Sequence, residues 1–349
     1  MGRTANISWF RDITLADRGT VGGKGGSLGE LTRAKIAVPP GFVINTHAFE
    51  QFLAEVDKEN SIGARVPALR NDDLEGIGAI SREIRARFES ASLPQNICTE
   101  IVSAHADLCG TNANSPVAVR SSATAEDSEE ASFAGLQDTY LWVIDAAATL
   151  KYVRSCWASL YSAASISYRR KHGIPESAVA IAVVVQKMVD ARSAGVMFTR
   201  SPLTGDRSVI TIESTWGLGS AVVSGEVTPD RFVIGKIIGD ISVREISDKF
   251  IQHVPDESGG TKELETPEDL CRVASVSDAE LKALAEIGRK VERHYGRPQD
   301  IEWAIDRSEE IYLLQSRPET VWSTKQKAPV ATPAENPLLH VMNIFGGRR

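Results

Sequence analysis

The stretch DIEWAIDRSEEIYLLQSRP (residues 300–318) reads as two strands joined by a polar turn, and the fold is read outward from it. Successive strand side chains point to opposite faces. Asp300, Glu302 and Ala304 therefore share one face of the first strand, and Ile301, Trp303 and Ile305 the other. On the second strand the same count puts Gln315 and Arg317 on one face with Ile311 and Leu313. DRSE supplies the hairpin turn. Two neighbouring strands would then present two carboxylates, an amide and an arginine to one space. A half-exposed hairpin with an ordinary polar outer face would show the same pattern, so geometry decides.

Upstream, a capping box of Ser277 and Glu280 opens a helix striped with Leu281, Leu284, Ile287 and Val291. Short strands alternate with glycine turns before it (AGVMFTRSP, RSVITIES, GLGSAVVSGEVTPDRFVI). The longest apolar run, AVAIAVVV at 178–185, has the length of a buried strand and is far too short for a membrane span. One long helix is expected over 146–173. Amphipathic stripes at Ile77/Ile80/Ile84/Phe88 and Ile97/Ile101/Ala104/Leu108 mark two more, and Asn45 is placed to cap another carrying Phe49, Phe52, Leu53 and Val56. Helices and strands mix without regular alternation, which indicates an α+β class. The 349 residues, 42% hydrophobic, suffice for two domains or one large two-lobed domain. A net charge of -7 argues against a general nucleic-acid binder. The N-terminus has no apolar signal core, so a cytoplasmic protein with no membrane partner is expected. The four cysteines form no CxxC pair and read as reduced, packed thiols with no zinc site among them.

Three further motifs carry chemistry. TVGGKGGSLGEL (20–31) surrounds Lys24 with glycines, in a register that does not fit a Walker loop. It is either an anion-binding turn, with Lys24 as point charge, or a plain turn entering a helix. In VAVRSSATAEDSEEASFAG (117–135), Arg120 ends a half-buried strand. Its guanidinium can fork onto phosphate oxygens, with Ser121, Ser122 and Thr124 as hydroxyl donors. The acidic loop 125–135 then reads as a mobile flap; the plain alternative is a surface ion pair and an exposed loop. Gln186 closes the buried strand, equally suited to an adenine edge or to the rim of a core. On the hairpin, carboxylate and amide oxygens suit Mg²⁺, and the arginine could neutralise charge on a transferred phosphoryl group. His47, in a THA tripeptide, reads as an ordinary surface or core histidine.

Taken together, GGKGGSLGEL, VPPGF, VRSSATAEDS with ASFAG, GVMFTRSP, GLGSAVVSGEVTPD and DIEW with LLQSRP resemble the ATP-binding domain of the phosphoenolpyruvate synthase and pyruvate phosphate dikinase family, over residues 8–322. The resemblance implies an ATP-grasp fold in which two lobes clamp ATP: residues 1–197, residues 198–322, and a linker-like tail at 323–349. It implies that Lys24, Arg120, Gly135, Thr139, Gln186, Glu302, Gln315 and Arg317 bind ATP. Lys24, Arg120 and Arg317 would act on the phosphates, and Glu302 and Gln315 would hold Mg²⁺ with Asp300 beside it.

None of the six histidines has the GGxT-(S/C)-H-A setting of the family's phosphohistidine. The expectation is a second subunit that carries the phosphohistidine and the acceptor site, as in phenylphosphate synthase, with phenol as acceptor. An ATP-binding half of a phosphoenolpyruvate synthase or rifampin phosphotransferase is the alternative, and a non-catalytic nucleotide-binding regulatory module is a third reading.

Overall fold

The computed structural model describes residues 5–320 and 322, apart from 71, 113, 125–126, 129–130, 133–137 and 177–179. It contains two large antiparallel sheets with helices on both. The first sheet takes β1 (Ile7–Trp9), β2 (Gly41–Ile44), β3 (Val117–Ala123), β6 (Thr139–Val143) and β7 (Ile181–Lys187), in the order β1-β2-β7-β3-β6; β4 (Asp127–Ser128) and β5 (Ala131–Ser132) pair apart from it. The second takes β8 (Ala191–Phe198), β9 (Val209–Trp216), β10 (Asp230–Gly235), β11 (Ile241–Glu245), β14 (Gln299–Asp306) and β15 (Ile311–Pro318), in the order β11-β10-β9-β8-β14-β15. Between them in sequence, β12 (Ile251–Pro255) and β13 (Thr261–Glu265) form a separate hairpin. The chain changes sheet between Lys187 and Ala191, upstream of the 197/198 division read from sequence. The α+β class is the one observed.

Alternation along the central strands divides the first sheet into two faces. Phe42, Ile44, Val117, Val119, Val183 and Val185 meet the helices α2 (Thr46–Val56), α3 (Ser61–Ala68), α4 (Leu74–Ser90), α5 (Gln95–Cys109), α6 (Ala146–Ser159) and α7 (Ala163–Lys171). Phe49, Phe52, Phe88 and Trp157 fill the middle of that core with ring-to-ring contacts of 4.9–6.4 Å between centroids. The opposite face, Val43, Ala182 and Val184, packs on α1 (Arg18–Arg33) through Val21 and Leu28. The far end of α1 changes core. Leu31 joins Met197, Ile212, Ile301, Trp303 and Leu313 of the second sheet, together with Leu281, Leu284 and Val291 of α10 (Asp278–Tyr295). One helix thus stands on both sheets, and the Ser27 hydroxyl donates to the Ser316 carbonyl at 2.5 Å.

Several local expectations are revised. The helix expected over 146–173 is two helices, because Ser162 turns the chain and caps α7 by accepting from the Ser165 amide. Asn45 stands at the start of α2, but its side chain donates to the Ala5 carbonyl and the Ser8 hydroxyl instead of capping. GLGSAVV holds a one-turn helix, α8 (Ser220–Val223), not a plain turn. The Ser277–Glu280 capping box is present, with both reciprocal bonds. The four cysteines are free. Among the described residues no helix is long and apolar enough to cross a membrane. The tail at 323–349 and most of the flap at 125–135 lie outside the described residues.

Candidate functional site

The glycine-rich stretch is not an open loop. It is a kink: Gly22, at φ 72° and ψ 178°, separates one helical turn from a second helical run beginning at Gly23. Only glycine fits there, since a Cβ would lie 2.1 Å from the Ser122 carbonyl oxygen. The kink is fastened to β3, with the Ser122 hydroxyl donating to the Val21 carbonyl (2.9 Å) and accepting from the Gly25 amide (3.2 Å). Lys24 is buried in the first turn after it, where helix-terminal amides favour an anion.

Ala118, Arg120 and Ser122 alternate with the buried Val117 and Val119, so Arg120 emerges on the α1 side of the first sheet. Thr139 is its register partner on β6, and Gln186 is the partner of Ala118 on β7; both therefore share the Arg120 face. Thr139 is exposed, whereas Gln186 is buried and donates to the Pro39 carbonyl at 3.3 Å.

Arg120 crosses to the second sheet. Its Nη2 donates to Glu302 Oε2 and to Gln315 Oε1, each at 2.7 Å, and its Nη1 donates to the Leu314 carbonyl at 2.8 Å. The Arg120 side chain is 9% exposed, and the Glu302 side chain 33%. A buried cation is thus held by one carboxylate and two neutral oxygens on a different sheet.

The hairpin achieves this through an irregularity that strict alternation misses. Glu302 pairs with Gln315, but the next residue, Trp303, pairs with Leu313, leaving Leu314 as the extra residue of a β-bulge. Ile311 and Leu313 stay on the apolar face with Ile305 and Trp303. Beyond the bulge the phase reverses, and Gln315 and Arg317 stand opposite Glu302 and Asp300. The expectation that Gln315 and Arg317 share a face with Ile311 and Leu313 is therefore wrong, because the extra residue shifts the count by one. The bulged Leu314 is also the residue whose carbonyl receives Arg120.

Asp300 lies 3.5 Å from Arg317 Nε through one oxygen, while its Oδ1 is buried without a hydrogen-bond partner. Burial pushes its carboxyl up to about 6, against the opposing pull of Arg317. The structure thus joins Arg120, Glu302 and Gln315 directly. It sets Asp300 and Arg317 beside them on the hairpin, and Thr139 and Gln186 beside Arg120 on its own sheet. Lys24 sits in the α1 turn fastened to the same face, and Gly135 lies outside the described residues. The residues missed from sequence are the Leu314 carbonyl and the link from Ser27 to Ser316, since backbone acceptors leave no mark in composition. His47 is a surface residue, 3.3 Å from Glu50.

A family model described as "Pyruvate phosphate dikinase, AMP/ATP-binding domain" matches residues 18–337. The probable phosphoenolpyruvate synthase of Methanothermobacter thermautotrophicus is 44% identical over 316 residues, covering 90% of this chain and 46% of that protein. The phosphoenolpyruvate synthase of Aeropyrum pernix is 41% identical over 367 residues, covering 94% and 44%. The probable phosphoenolpyruvate synthase of Methanocaldococcus jannaschii is 41% identical over 324 residues, covering 92% and 27%. The chain therefore spans less than half the length of these relatives. D-alanyl-alanine synthetase A from Vibrio cholerae overlaps 87% of this chain and 56% of its own at 8% identity and a TM-score of 0.30, too slight a likeness to add to the argument. All three relatives carry the phosphoenolpyruvate synthase name, and none of them a phenylphosphate synthase name.

Proposed function

The chain belongs to the pyruvate phosphate dikinase AMP/ATP-binding family, and on that premise we propose that it is the ATP-cleaving part of a phosphoenolpyruvate synthase-type dikinase. In this reading it is an ATP-grasp clamp. ATP lies between the two sheets, its β-phosphoryl group passes to a histidine on another domain or subunit with release of AMP, and one water takes up the γ-phosphoryl group, which leaves as phosphate. The observation that carries the proposal is the reach of Arg120 from the first sheet to Glu302, Gln315 and the Leu314 carbonyl on the second. A triphosphate placed there gains a guanidinium with fork geometry, and in exchange frees Glu302 and Gln315.

Glu302 and Gln315 fit Mg²⁺, because their hard oxygens face each other in register and already share one cation, Arg120. Bound there, Mg²⁺ would neutralise charge on bridging phosphate oxygens. Asp300, with one buried oxygen unpaired, stands next to that pair. Lys24 and Arg317 supply two further positive charges, on α1 and on the hairpin, for the phosphate chain. Gln186 and Thr139, on the Arg120 face, serve the rest of the nucleotide. Each of these side chains binds or orients. The nucleophile is the imidazole of the second domain or subunit, which also carries the acceptor site, and the reaction requires that partner.

The test supplies ATP labelled at the β-phosphate, Mg²⁺ and the histidine-bearing domain or subunit that serves this chain in its own organism. The label should pass to the partner's histidine with AMP and phosphate as products, and pyruvate should discharge it where phenol does not. ADP as main product, or stable label on this chain alone, would overturn the reading; discharge by phenol would restore the phenylphosphate synthase alternative.

A further inference from the structure

Away from the cleft, three side chains from three segments converge on the β12–β13 hairpin. Glu226 follows α8, His253 is the middle residue of β12, and Glu263 faces His253 directly across the hairpin. One ligand atom from each lies within 4.8 Å of the other two, the only such His/Cys/Asp/Glu grouping among the described residues. The imidazole is oriented from behind: Ser220 Oγ lies 2.8 Å from Nδ1, and Nε2 points to Glu226 Oε2 at 2.9 Å. A hydroxyl on one ring nitrogen, with the other turned toward carboxylates, is how proteins fix a metal-binding histidine. The His253 side chain is 15% exposed, so its position is set by packing while the Glu226 side reaches solvent.

We propose that Glu226, His253 and Glu263 form a site for one divalent transition-metal ion of the Zn²⁺ class, with water completing its shell. One imidazole and two carboxylates suit Zn²⁺, whereas Mg²⁺ and Ca²⁺ prefer all-oxygen sites. The ion ties down a strap. At its middle the hairpin is bound to the Gly217–Leu218 segment: the Leu218 amide donates to the His253 carbonyl at 2.8 Å, and Gly217 approaches that carbonyl at a positive φ of 70°. Leu218 in turn packs with Ala194 and Ala304, on the face of the second sheet that carries Glu302. At the other end of the hairpin, the Gly260 amide donates to the Trp142 carbonyl at 2.9 Å, on the strand that carries Thr139. The hairpin therefore spans from one sheet to the other, and an ion at its middle stiffens that span.

The test titrates the nucleotide-free protein, without Mg²⁺, with Zn²⁺ by calorimetry and with Co²⁺ by visible absorption. One equivalent should bind, with an imidazole-ligated Co²⁺ spectrum. His253→Ala should abolish binding, Glu263→Gln should weaken it, and Ser220→Ala should weaken it by about 10- to 100-fold through loss of the imidazole's support. Glu302→Gln should leave it unchanged, which separates this site from the cleft. Amide exchange at Gly260 should slow when Zn²⁺ is bound. Thermal unfolding monitors folding of each variant, and the exposed Glu263→Gln substitution decides the matter if His253→Ala does not fold. Equal binding by wild type and Glu263→Gln, absence of saturable binding, or a Gly260 exchange rate indifferent to Zn²⁺ would overturn the proposal.

Discussion

Two buried ion pairs in this molecule look alike in isolation and differ in every partner. Asp230 and Lys249 are both fully buried, 2.5 Å apart, within the second sheet's lobe. Asp230 also accepts from the Ser247 amide, the Ser275 amide and the Ser275 hydroxyl, at 2.9–3.1 Å, and Lys249 donates to the Ser247 carbonyl. Arg120 and Glu302 are also close, at 2.7 Å, but they come from different sheets, Glu302 is part-exposed, and Arg120 Nε has no hydrogen-bond partner. The first pair is saturated and serves architecture. The second keeps polar capacity in reserve, and incomplete satisfaction of buried polar groups is a mark of sites that await something.

The largest effect expected from breaking this comparison is on the saturated pair. Asp230→Ala leaves Lys249 buried without its counter-charge, and stability should fall by about 3–5 kcal/mol in denaturant titration. A loss under about 1 kcal/mol would mean that Asp230–Lys249 is not architectural. Glu302→Gln makes the converse cut. It keeps volume and a hydrogen bond to Arg120, so stability should change little while AMP formation falls by about 10³-fold. Retention of most activity at limiting Mg²⁺ would remove Glu302 from metal binding.

A third buried acid sharpens the contrast through pH. Asp57 accepts from the Ser61 amide and hydroxyl and the Ile62 amide at 2.7–2.9 Å, with Arg87 at 3.5 Å. Burial alone would raise its carboxyl, but these donors outweigh burial and hold it below its ordinary range. A depressed folded-state value means stabilisation that is present above the unfolded value near 3.8 and is lost as pH falls through the lower folded one. Asp57→Asn should therefore cost about 1–2 kcal/mol at pH 7, with the gap to wild type closing in acid. A gap independent of pH would assign the effect to packing instead of charge.

Much of the scaffold was legible because it rests on short-range rules. The stripes of α4 and α5, the capping box of α10 and the alternation in β3 all repeat within a few residues. Arg120, Glu302 and Gln315 could be named, and the family resemblance implied that they share one site, but no local pattern shows their direct contact, which joins residues 182 and 195 positions apart. Helix α3 was missed because Gly63 and Pro67 weaken its local pattern, and hairpin β12–β13 because β12 is only half-buried, β13 is exposed, and neither has an apolar stripe. The bulge at Leu314 was invisible for a different reason. An extra residue within the apolar run IYLL (311–314) changes neither composition nor propensity, only the count.

That count has a consequence for how the hairpin can change. Leu314 acts as a parity bit: on its turn side the strand's phase answers to the Trp303 core, and on its other side to the cleft. Lengthening the turn end by a paired residue on each strand would extend the hairpin while leaving Glu302, Gln315 and Arg317 in place. Deleting Leu314 alone would remove the bulge and leave Gln315 and Arg317 opposite Glu302 and Asp300, but without the carbonyl that receives Arg120; keeping Leu314 and flattening the bulge into regular pairing would instead turn Gln315 and Arg317 toward the Trp303 core. The two ends of one ribbon are thus free to be edited separately, provided that the odd residue between them stays bulged.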